Sequence, residues 1–292
     1  MNKFEAAFYN HGLIRFCSNC YRYSVRDTYG FSYSTGASPG QLRAKNPGNW
    51  RHLHSIIANL ITDGLKPLWV AHSLEDKIGE QIPSPPDGHY LVVATVGYGD
   101  FAFRKIDKIL PENQFACSYR EEYWDGGSET ADKRAFVKTG IKSWMDLTQR
   151  KENEDWYLVG IFACPNEGLD LSMAKVIHDI NEKCGTKYFN GLNPKFIDSE
   201  LEFYNGYKNL QRSGFESKKQ VSKALSAYHV AFSKYHNANI SSGANSGMIT
   251  DAVAKIYRKT PLAAADRERV HDLFGKNLSW IDRLNVKLCK IY

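Results

Sequence analysis

The chain has 292 residues, of which 42% are hydrophobic and 24% charged, and its 38 basic and 32 acidic side chains leave a formal net charge of +6. That length is about twice the roughly 100 to 150 residues of a common single domain, so two modules, or one core with a long extension, are expected. The composition excludes a disordered chain, and no apolar run approaches the roughly 18 residues needed to cross a bilayer.

The excess positive charge favours an anionic partner such as a nucleic acid, an acidic membrane face or an anionic cell-envelope polymer. Its even spread, with no block of five like charges, instead points to a mildly basic solvated surface, and no nucleic-acid partner is expected. Met1 to Phe16 contains Lys3, Glu5 and Arg15 and lacks an uninterrupted apolar stretch, so it does not read as a Sec-type signal. Synthesis in the cytoplasm is expected, with any export through a specialised system.

Cysteines at 17, 20, 117, 164, 184 and 289 are too sparse for a disulfide scaffold. Cys17 and Cys20 form the one close pair, with no second Cys-x-x-Cys to complete a zinc site, and neither a metal nor a cofactor is expected. A phosphate loop is absent, since the basic stretch after Gly40 lacks the second glycine.

In chain order, Asn49 to Ile61 has helical spacing, with Leu53, Ile56, Ile57 and Leu60 on one face. Leu91 to Val96 is the clearest strand, bounded by Pro85-Pro86-Asp87-Gly88 and Gly97-Tyr98-Gly99-Asp100. Phe101 to Ile106 follows at hairpin distance, and Trp156 to Ala163 closes the region. Between Phe115 and Glu154 charges accumulate; that stretch reads as insertion or loop, with a helix around Phe136 to Leu147. Beyond Pro165 the character becomes helical: Asp170–Lys183, Asp198–Leu210, Ser217–His236, Ser246–Arg258, Ala263–Phe274 and Leu278–Leu288 show three-to-four spacing, with one linker-like stretch at Asn237–Gly247. The basic and aromatic residues of Phe203 to Lys219 fit an amphipathic helix with a solvated rim.

The chemistry centres on Cys20. A cysteine nucleophile acts as thiolate, so it needs a neighbouring base or a helix N-terminus to lower a free pKa of about 8.5. Asn19-Cys20-Tyr21-Arg22-Tyr23 suits a helix beginning at the cysteine, with backbone N–H groups near Asn19 and Tyr21 positioned for an oxyanion. A lone cysteine before aromatics is more often a core residue, and only later segments distinguish it.

Those segments are Asn19-Cys20-Tyr21-Arg22-Tyr23-Ser24, Ser38-Pro39-Gly40, Thr62-Asp63-Gly64-Leu65, the strand at 91 to 96, Asp100-Phe101-Ala102-Phe103-Arg104-Lys105 and Gly160-Ile161-Phe162-Ala163-Cys164-Pro165. Their order over residues 17 to 165 resembles the papain-like, NlpC-type cysteine amidase and peptidase superfamily, closest to its phage-associated and secreted antibacterial cell-wall amidases. The resemblance implies an α+β papain-like domain over 1–165, with a Cys-bearing helix on an antiparallel sheet, and a helical recognition, delivery or partner-binding domain over 166–292. It makes Cys20 the nucleophile and puts the catalytic histidine at position 102, where the chain has Ala102. A methyl group can neither deprotonate the thiol nor protonate the leaving amine.

Retention of the flanking Asp100, Phe101 and Phe103 favours a substitution made in an intact enzyme over a drifting pseudoenzyme. The tryptophan-serine-histidine-lysine segment often found after the histidine strand is missing. Asn113, Glu121 and Asp125 are orienting candidates by position alone, and His89, at the entry to the strongest strand, is the fallback base. His52, His54 and His72 suit surface or supporting roles. The resemblance further implies a peptidoglycan stem peptide or another peptide as substrate and a cognate immunity protein as partner. Two other functions compete: an inactive binding protein with a papain-like cleft, and a deamidase or transglutaminase-like modifier of proteins.

Overall fold

The computed structural model describes residues 3–11, 14, 19–27, 38–40, 52–73, 75–76, 78–79, 82–97, 100–122, 135–144, 156–169, 171, 173–185, 194–238 and 255–274. Cys17, Asp125, the span Leu278–Leu288 and most of Ser246–Arg258 lie outside them. The chain is α+β. Helices α1 (Lys3–Tyr9), α2 (Cys20–Ser24) and α3 (Leu53–Asp63) precede strands β1 (Lys66–Val70), β2 (His89–Gly97), β3 (Asp100–Leu110), β4 (Gln114–Glu122), β5 (Ala135–Ser143) and β6 (Trp156–Pro165). Helices α4 (Met173–Cys184), α5 (Pro194–Arg212), α6 (Lys218–Ala238) and α7 (Pro261–Phe274) follow. No helix among the described residues is long and apolar enough to cross a membrane.

The six strands form one sheet in the order β1-β6-β2-β3-β4-β5, and every pair is antiparallel. β2 to β5 are sequential neighbours, which short connections permit, and β6 returns to pair with β2 on its other side. β1 is an edge strand and carries Pro67, which has no N–H to give to a ladder. The β2–β3 register runs unbroken from Leu91 opposite Ile106 to Gly97 opposite Asp100. β6 slips once against β2, between Ala94 and Thr95, so that Val159 is the extra residue of a bulge.

Alternation along the strands sends side chains to two faces. On one face Val92, Ala94, Val96 and Phe103 pack with Tyr21 of α2, Ile56, Ile57 and Leu60 of α3, and Ile177 and Ile180 of α4. On the other, Leu91, Val93, Ile106, Phe115, Leu158 and Ile161 surround Trp144. A third cluster joins Phe8 and Tyr9 of α1 and Tyr23 of α2 to Tyr207, Leu210, Phe215 and Val221. The helices after Pro165 therefore share clusters with the front half, and the change of character near residue 165 is a change of secondary structure within common cores.

The middle of the chain departs from expectation. The stretch read as a loop with a helix at 136–147 contains β4 and β5, paired from Gln114 opposite Ser143 to Glu122 opposite Ala135. Val137, Thr139 and Ile141 alternate with Lys138, Gly140 and Lys142, which is period two rather than 3.6. Pairing with β4 satisfies one side of that backbone, and the lysines suit an exposed edge.

Candidate functional site

Cys20 is the first residue of α2. Asn19 caps the helix, its Oδ1 accepting from the Arg22 N–H at 3.0 Å, and its carbonyl accepts from the Tyr23 N–H at 2.9 Å. The helix is a single turn, and the structure binds both of its ends. At its C-terminal end Arg26 adopts a left-handed φ of 50°, and Leu169 N–H returns to the Val25 carbonyl at 2.9 Å. Gly168 makes that return possible: its φ is +73°, and a Cβ there would lie 2.5 Å from the Arg26 carbonyl oxygen.

Three of the sequence motifs meet at one carboxylate. Asp63 lies in the last turn of α3, where a negative charge opposes the helix dipole, so another interaction must account for it. Its Oδ2 accepts from the Tyr21 hydroxyl at 2.6 Å and from the Gly40 N–H at 2.6 Å. Gly64, at φ +109°, ends α3 and lets Leu65 N–H reach the Leu60 carbonyl. The Asn-Cys-Tyr, Pro-Gly and Asp-Gly-Leu segments are thus parts of one buried joint that fixes α2. Burial, reinforced by the Asp63 charge, raises the Tyr21 pKa, so the phenol stays a donor.

Against β3, α2 sets Tyr21 on Phe103, with ring centroids 4.8 Å apart, and on Phe101 at 6.5 Å. Half-buried Cys20 donates its thiol hydrogen to the Phe101 carbonyl at 3.6 Å. Cys20 and residue 101 are therefore brought together.

Residue 102 is placed differently. Phe101, Phe103 and Lys105 all face α1 and α2: the first two meet Tyr21, and Lys105 lies over the Tyr23 ring and pairs with Glu5 of α1. With no bulge between β2 and β3 in this stretch, Ala102 takes the opposite face, in the row of Thr95 and Leu158. The expected arrangement, residue 102 facing Cys20, is not what this register gives. Thr95 Oγ1 donates to the Ala102 carbonyl at 3.1 Å, which ties the strand at that point.

His89 is also remote. It opens β2 opposite Pro165, six residues and roughly 20 Å along the strand from Thr95, and its Nδ1 sits 2.8 Å from the Asp87 carbonyl. Asn113 occupies the β3–β4 turn, at the far end of β3 from Phe101. Glu121 belongs to β4 by its backbone. Among the described residues no three His, Cys, Asp or Glu side chains gather closely enough to hold a metal ion.

Sequence reading missed the charged joint beneath α2. Glu5, 3% exposed, pairs with Lys105 at 3.0 Å and with Arg26 at 3.1 Å. Burial pushes its pKa upward, and the charges of Lys105 and Arg26 more than reverse this, holding the carboxyl below its ordinary value. The signal available was Lys105 two residues after Phe103, in the inward register set by Phe101 and Phe103. No family model, curated protein or solved structure matches the chain.

Proposed function

We propose that the chain is built as a papain-like, NlpC-type cysteine amide hydrolase whose nucleophile is Cys20 and whose substrate class is the amide bond of peptidoglycan stem peptides. The observation that carries this reading is Cys20 at the first position of a capped helix packed on an antiparallel sheet, with Asp63 locking the three motifs around it. In that reaction the thiolate attacks the amide carbonyl, backbone N–H groups near Asn19 and Tyr21 hold the oxyanion, amine leaves, and water hydrolyses the thioester. An antibacterial role, with export by a specialised system and an immunity protein as partner, is the context the motifs imply.

The first step needs a base, and neither Ala102 nor His89 offers one to Cys20. The chain as written should accordingly be close to inactive in hydrolysis. The register of β3, and the thiol hydrogen given to the Phe101 carbonyl, favour a second reading, a binding protein that retains the scaffold without the chemistry.

One pair of variants separates the two. Ala102→His and Phe101→His are each incubated with purified peptidoglycan, with Cys20→Ser versions as controls. A Cys20-dependent release of soluble muropeptides from either variant supports the hydrolase, and the variant that works reports which face of β3 serves the thiol. Silence from both, with Cys20 alkylated at the same rate and pH dependence as in the parent, removes the hydrolase reading and leaves the binding protein.

A further inference from the structure

Helix α6 carries four lysines and no carboxylate along 21 residues, and the acid-free stretch extends from Ser217 to Thr250. Its inward side is occupied: Val221 is buried and Ala224 and Leu225 pack against the cluster formed with α1. Lys219, Lys223, Ser226 and Val230 recur at i, i+4, i+7 and i+11 and are exposed, forming a row along the opposite side, with exposed Lys218 beside it. Among the described residues no carboxylate pairs with Lys218, Lys219 or Lys223. Exposed Lys3 comes from α1, which packs on α6.

These lysines do not serve the helix. Lys218 and Lys219 stand in its first turn, where cations oppose the helix dipole. Ser217 already caps that end, its Oγ accepting from the Gln220 N–H at 3.2 Å. Positive side chains and the positive helix end therefore add in one place. The occupant's chemistry follows from what the row lacks. Val230 is the one large apolar side chain exposed among its described members, too little for insertion into a bilayer. The helix has no arginine, which disfavours the bidentate, aromatic-rich contacts of a specific protein interface. Lysine ammonium groups, with Lys219 and Lys223 about 6 Å apart along the axis, suit a linear chain of repeating phosphates as point charges.

We propose that the lysine row of α6 docks the protein on a phosphodiester polyanion attached to the cell wall; the choice of wall polymer over other polyanions rests on the peptidoglycan reading above. The full chain is sedimented with purified walls, intact or stripped of their phosphodiester polymer with hydrofluoric acid, at a series of salt concentrations. DNA duplex and phosphatidylglycerol vesicles are the comparison ligands. Expected is binding to intact walls at least tenfold tighter than to stripped walls, with log K falling with log salt at a slope of about −2 for three phosphate contacts. The variant carrying Lys218→Gln, Lys219→Gln and Lys223→Gln, with unchanged unfolding, should lose that difference and that slope. Equal binding to both walls, full binding by the variant, or tighter binding to DNA or vesicles at ~0.15 M salt overturns the proposal. Cleavage is not read here, so a protein that docks through these lysines and never cuts an amide loses the hydrolase reading alone.

Discussion

The two faces of β3 are held in different ways. Phe101, Phe103 and Lys105 point toward helices and meet Tyr21, Tyr23 and Glu5, so α1 and α2 are fastened to the strand through them. Ala102 and Arg104, between them in sequence, face the other way; there Ala102 shares a row with Thr95, and Arg104 stands over the Tyr119 ring. The contrast shows that parity along one strand decides whether a residue can serve Cys20. A one-residue slip would exchange every role on the strand, and the unbroken β2–β3 ladder is what prevents it.

Substitutions at consecutive positions can break that contrast. Phe103→Ala should have the largest effect. The ring is 1% exposed and lies against Tyr21 and Phe101, so truncation leaves a cavity in the core under α2 and costs about 3 to 5 kcal/mol. Urea unfolding monitored by circular dichroism measures it; a loss below about 1 kcal/mol would mean that Phe103 does not fasten α2 to the strand and would dissolve the comparison.

Lys105→Met should come next, at about 3 kcal/mol at neutral pH, because it removes one partner of a buried carboxylate and leaves Arg26 as the other. The pH dependence has a definite sign. Glu5 has a depressed folded pKa, so its contribution is present above the unfolded value and is lost as pH falls through the folded one. The cost of Lys105→Met should therefore shrink in acid, where Glu5 takes up a proton in both proteins. Urea midpoints of parent and variant between pH 3 and 7 test this, and a cost independent of pH would mean that Glu5 is not the partner that matters.

Much of this was legible and some was not. β2, β3, β6 and the helix carrying Leu53 to Leu60 announce themselves through long apolar runs or helical spacing, because both are local signals. β1 does not, since five residues including Pro67 become a strand only by pairing with β6, about ninety residues later. β5 carries its period-two signal in residues diluted by lysines and Gly140, because an edge strand with a solvated side has few apolar positions to show. At the site, Cys20 and its cap could be read from Asn19-Cys20, whereas Asp63 reads as part of a turn until Tyr21 and Gly40 converge on it. The face taken by residue 102 was in the sequence too. Two phenylalanines flanking an alanine in a strand claim the buried side and turn the alanine away.

Arg104→Ala should have the smallest effect, and it is the sharpest check on the Trp144 face. The guanidinium lies 5.7 Å from the Tyr119 ring centroid, a contact worth about 0.5 to 1 kcal/mol at a partly exposed site. Against that gain stands its Nε, buried without a hydrogen-bond partner, whose removal relieves a desolvation cost. The two offset one another, so net destabilisation should stay under about 1 kcal/mol, although its neighbours at 103 and 105 each cost several times more. A double-mutant cycle with Tyr119→Leu isolates the ring contact, since Arg104→Ala should cost nothing further once Tyr119 is gone. A loss at 104 as large as that at 103 would mean that the strand is clamped on both faces, and the helix side would no longer be the part of β3 that holds Cys20 in place.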